Sequence, residues 1–135
     1  MTSRGFLIVL GVITLVAVAS YLPIGTGMFN SKSKLDVTVP ELSAEAQQGY
    51  ALFRNACATC HGTKADGTDN GPALIIRTYH PGRHADIAFY RAVKLGVRQH
   101  HFHFGGMPPI DGISEAEIAN IVMFIRETQK ANGVF

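Results

Sequence analysis

The sequence predicts an all-α protein, one N-terminal transmembrane helix followed by a small helical domain. Three observations lead there. Gly5 to Leu22 is an uninterrupted uncharged stretch rich in Leu, Val, Ile and Ala, and its length suits a membrane-spanning helix. Apolar residues after Ser114 recur every three and four positions, the period of one helical face. No run alternates polar and apolar residues for long enough to argue for a sheet.

The leader, residues 1–29, is read as a signal anchor. Arg4 stands before the apolar stretch and Lys32 and Lys34 after it; the positive-inside preference then keeps Arg4 in the cytoplasm and exports the chain from Lys32 onward. Ala17-Val18-Ala19 before Ser20 also fits a signal-peptidase site, which would instead release a soluble periplasmic protein. The anchor is favoured because the uncharged stretch runs past that point to Phe29. A core helix is disfavoured, since a helix apolar all round has no place on so small a domain. Residues 30–35 read as a short polar tether. Residues 36–135 have the length of one ordinary domain.

Three helices are expected within that domain. Ser43 is a credible N-cap for a first helix to about Cys60, with Ala46, Tyr50 and Phe53 on one inward face. Gly62 to His84 is rich in Gly, Pro and polar residues and is expected to be an irregular loop. Asp86 is expected to cap a second helix, with Ile87, Tyr90, Ala92 and Val93 as packing positions and Gly96 as its stop. Ser114-Glu115-Ala116-Glu117 forms a capping box for the last helix, packed through Ile118, Ile121, Val122 and Ile125 and ended by Asn132-Gly133.

The chemistry is concentrated in Cys57-Ala58-Thr59-Cys60-His61. A C-x-x-C-H run reads as an attachment site for c-type haem. Two thiols three positions apart lie on neighbouring turns of a helix and reach the two vinyl groups on one porphyrin edge. His61, next in line, is then the proximal iron ligand. The chain has 2 cysteines, which excludes a four-cysteine zinc or iron–sulfur site. A thioredoxin-like pair or a chance match are the competing readings.

Met107 is the candidate for the opposite axial position. Gly105-Gly106-Met107-Pro108-Pro109 combines glycines that allow close backbone approach with prolines that stiffen the exit. Met1 and Met28 are N-terminal, and Met123 is expected in the core of the last helix. Methionine with histidine is a cytochrome c pair. The rivals are His100, His101 and His103, which otherwise read as a polar loop.

With these residues in view, the chain resembles a class I cytochrome c of the bacterial, membrane-anchored kind, over roughly residues 40 to 133. The carriers are Cys57-x-x-Cys60-His61, Asn70-Gly71-Pro72-Ala73-Leu74 and Gly106-Met107-Pro108-Pro109. The resemblance implies a small cytochrome c-like fold around one covalent haem c. It implies that the Pro72 carbonyl accepts the proton of the proximal imidazole, that Met107 ligates the other face, and that Gly49 and Phe53 pack the first helix against the last. The His100-His101-x-His103 cluster lies outside the family pattern.

A His61–Met107 pair leaves iron no open position, so single-electron transfer at a potential on the positive side is expected. A haem enzyme or gas sensor with a labile methionine is the alternative. Arg77 is the candidate for a haem-propionate contact, with Tyr79 and His80 behind it. Redox proteins are the expected donor and acceptor, met by a tethered carrier or by a fixed subunit of a membrane oxidoreductase complex.

The formal charge of +2 does not indicate nucleic-acid binding. Three of the 12 basic residues lie in leader and tether, which leaves nine against all 10 acidic ones. Lys64, Arg77, Arg83, Lys94 and Arg98 form at most a modest basic rim for an acidic partner.

Overall fold

The computed structural model describes residues 35–135. The anchor at 1–29 and nearly all of the tether lie outside the described residues. Among the described residues no helix is long and apolar enough to cross a membrane. The described part is helical, with α1 at Ala44–Ala56, α2 at Ala58–His61, α3 at Asp86–Leu95 and α4 at Glu115–Ala131. No strand is present among these residues; Val97 and Met107 form an isolated antiparallel bridge.

Local signals place the helix ends. The Ser43 hydroxyl accepts from the Ala46 N–H, and it also donates to the Glu127 carboxylate at 2.7 Å, so the start of α1 is tied to α4. The Ser114–Glu117 capping box is complete in both directions. Those hydrogen bonds to Ser114 hold the Glu117 carboxyl below its usual range. Gly96 ends α3 with φ of +72°, a conformation that favours glycine.

Three expectations need correction. The first helix does not continue to Cys60. Cys57 departs from helical angles at φ −120° and ψ −27°, and the chain restarts as α2 with Cys57 as its N-cap. Asp86 is not a cap: Ala85 holds that position without a side-chain bond, while the Asp86 carboxylate pairs with Arg126 Nε at 2.8 Å. Met123 is 43 % exposed, because α4 turns Ile118, Ile121, Val122 and Ile125 inward and leaves Met123 on the outer face. The 62–84 segment is irregular apart from a 3-10 turn at Arg77–Tyr79.

Packing of α1 on α4 forms the frame for the site. A Cβ at Gly49 would overlap the Asn120 carbonyl, so glycine lets the two backbones meet. Beside this contact Phe124 stacks against Tyr50 at 4.8 Å and Phe53 at 5.2 Å between ring centroids. Such aromatic pairs add on the order of 1 kcal/mol beyond area burial.

Arg126 and Gln129 on α4 hold the loop that precedes α3. Arg126 Nη1 donates to the Tyr79 carbonyl at 2.9 Å and to Gln129 Oε1 at 2.7 Å, and Nη2 donates to the His84 carbonyl. The buried Gln129 Nε2 donates to the carbonyls of Leu74 and Tyr79. Arg126→Met keeps the aliphatic stem but strips partners from half-buried acceptors. The expected loss is about 2–3 kcal/mol of stability, read as a lower guanidinium midpoint of the holo-protein; an unchanged midpoint would mean that the loop does not depend on this side chain.

Candidate functional site

The site is a cavity of about 350 Å3 bordered by α3, α4, the 97–107 loop and the segment from Cys57 to Pro72. Its walls are mostly apolar, with Phe53, Leu74, Ile118, Ile121 and Ile125 among them. Cys57, His61, Pro72 and Met107 also line it. Residues 46 positions apart in the chain are therefore brought to one space.

His61 is aimed by its surroundings. Its Nδ1 lies 2.9 Å from the Pro72 carbonyl oxygen. A carbonyl only accepts, so Nδ1 carries the ring proton and the Nε2 lone pair is left for a metal. Burial lowers the His61 pKa, against a smaller opposing effect of the Pro72 bond, which keeps the ring in the neutral form that binds metal. The following loop delivers Pro72 to this place. Thr68 Oγ1 donates to the Cys60 carbonyl at 2.6 Å, the Gly67 N–H donates to the His61 carbonyl at 2.7 Å, and the Leu74 N–H reaches Ala65.

Met107 is held through its backbone. Val97 and Met107 exchange both N–H···O bonds, at 2.8 and 2.9 Å. Gly96 stands so close that a Cβ would lie 2.6 Å from the Met107 carbonyl oxygen. The thioether is thus presented from a backbone clamped to the end of α3.

The two cysteines differ in environment. Burial, and secondarily the neighbouring Cys60, pushes the Cys57 thiol up to about 11. Cys57 is buried and Cys60 exposed.

The family described as cytochrome C oxidase, cbb3-type, subunit III matches residues 44–125, from the first residue of α1 into α4. The chain belongs to this family. It is a c-type cytochrome, and its cofactor is covalently attached haem c. No curated protein and no solved structure matches the chain.

The c-type cytochrome's cavity suits that group. It offers an apolar enclosure, a neutral imidazole fixed through Nδ1, a thioether and a buried cysteine next to His61. Ile87, expected as a core position, is 56 % exposed and lines the cavity instead. Arg77 is exposed at the start of the 3-10 turn and is not among the lining residues. Of the two weaker propionate candidates, Tyr79 lines the cavity; His80 Nδ1 accepts the Gly82 N–H at 2.9 Å and is not a lining residue. Lys64 and Lys94 donate to the carbonyls of Val37 and Ile113, so those two ammonium groups are engaged within the domain.

Sequence reading overlooked Arg91 and His84, both of which line the cavity. Arg91 shares a face of α3 with Ile87 and Ala88 at helical spacing, a signal that could have found it. His84 had no such local signal.

Proposed function

We propose that this c-type cytochrome is a single-electron carrier in which His61 and Met107 would ligate the haem iron. The observation that carries the reading is the opening of both side chains into one apolar cavity, each held by a backbone bond pattern independent of the other. When bound, haem supplies a one-electron iron couple. The chain's own residues do the rest. Cys57 and Cys60 anchor the macrocycle through thioethers, Pro72 orients His61 and strengthens it as a donor, and the walls exclude water. A filled distal position argues for electron transfer rather than for an enzyme or gas sensor, and the clamped Met107 backbone supports a filled position. Arg77 remains the sequence candidate for a propionate contact, but the cavity favours Arg91 and Arg98 for that role.

We further propose that residues 5–22 form a retained membrane anchor with the haem domain on the periplasmic side. The family's description as an oxidase subunit favours a place in a membrane oxidoreductase complex, with redox proteins as donor and acceptor. Membrane preparations test both points. The protein is expected to stay with membranes through a high-salt wash, because salt does not weaken burial of apolar residues, and to co-migrate with larger proteins after mild detergent. A mature protein that begins at Ser20 and is recovered in the wash would contradict the anchor. A monomer in mild detergent would leave a free tethered carrier.

A further inference from the structure

Three histidines meet at the mouth of the cavity, separate from His61. His84 precedes α3, and His100 and His101 belong to the loop between Gly96 and Met107. One ring nitrogen from each lies within 4.8 Å of those of the other two. The His100 and His101 rings are 4.2 Å apart between centroids, and His84 and His101 are 5.4 Å apart.

One ring nitrogen is already engaged in two of the three. His84 Nδ1 lies 2.7 Å from the Thr78 carbonyl oxygen, and His100 Nδ1 lies 2.8 Å from that of Arg98. Carbonyls accept only, so both Nδ1 atoms are protonated and both Nε2 atoms present lone pairs. A histidine that donates its other N–H to a carbonyl is the usual support of a metal-binding imidazole. His84 is also the rigid member: its carbonyl accepts from Arg126 Nη2, and its N–H donates to the His80 carbonyl at 2.9 Å. His100 and His101 are exposed.

We propose that His84, His100 and His101 form a binding site for a divalent transition-metal cation of the Zn2+ class, distinct from the haem iron. Imidazole suits zinc, copper and nickel, and a set without a carboxylate does not suit calcium or magnesium. Tetrahedral zinc with bonds of about 2.0–2.1 Å needs nitrogens roughly 3.3 Å apart, so binding would require the exposed loop histidines to move inward. The fourth position is left to water. The competing occupant, a haem carboxylate, calls for cations, and Arg91 and Arg98 on the same cavity provide them. Occupancy by metal would join the loop that carries Met107 to the segment that α4 holds.

Zn2+ titration of the holo-protein by calorimetry tests the site. One saturable equivalent is expected, with affinity reduced at least about tenfold in His84→Gln and in His101→Gln, unchanged in His103→Gln, and with the haem spectrum unaltered throughout. In the native protein, Zn2+ is expected to slow amide exchange in residues 98–104. This second readout does not depend on how the variants fold. Absence of saturable binding, binding that survives in the His84→Gln/His101→Gln double variant, or no change in exchange at 98–104 would overturn the proposal. A Zn2+-induced change in the haem spectrum would also overturn it, because these histidines would then be acting on the iron site.

Discussion

Met107→Ala is expected to convert a closed haem site into an open one. Ferrous protein should then bind carbon monoxide, which the wild type should refuse. The reduction potential should fall on the order of 100 mV, a modest share of the roughly 0.8 V over which axial ligands act. Two features of the fold make the change local. Val97 and Met107 are paired through their backbones, so removing the thioether leaves the loop's path intact. His100, His101 and His103 are close in sequence and exposed, so slow capture of the opened position by an imidazole is an expected second phase. Equal carbon monoxide binding by wild type and variant would mean that Met107 does not guard the iron.

Removal of the anchors should have the larger effect on yield. Cys57→Ala and Cys60→Ala are each expected to reduce holo-protein at least several-fold, and the double variant should show no haem stain after denaturing electrophoresis. The reason lies in the size of the domain. A core of about 100 residues supports only marginal stability alone, and among the cavity-lining residues Ile87 is exposed and Tyr79, Val97 and Phe102 are only half-buried by the protein itself. Ligand binding to the folded state raises stability by mass action, and a covalent ligand cannot be diluted away. Normal covalent haem in the double variant would be incompatible with the C-x-x-C-H reading.

Features written in neighbouring residues were legible in the sequence. The Ser43 cap, the Ser114–Glu117 box, the stop at Gly96 and the inward face of α4 all arise from spacing within one or two turns. The haem motif is equally local, and its resemblance to class I cytochromes pointed to Pro72 and Met107, which the fold brings to the cavity with His61. Features that depend on pairing across the chain were not legible. Asp86 looks like a cap until Arg126, 40 positions away, takes its carboxylate. Gln129, a polar residue near the end of α4, is buried because the Leu74 and Tyr79 carbonyls turn toward it. The break at Cys57 has no breaker residue to announce it. It separates a buried cysteine from an exposed one, where the sequence pattern suggests a continuous helix carrying both. His84 joins His100 and His101 only through the tertiary path of the loop before α3.

The near-infrared absorption of the oxidised wild-type protein tests the axial pair most directly, because a sulfur-to-iron charge-transfer band appears there only when a thioether ligates ferric haem. With His61 and Met107 on the iron, the band should be present in the wild type, survive His103→Gln, and vanish in Met107→Ala. Its absence from wild-type protein that is otherwise low-spin would contradict the His61–Met107 pair and place an imidazole from His100, His101 or His103 in the distal position.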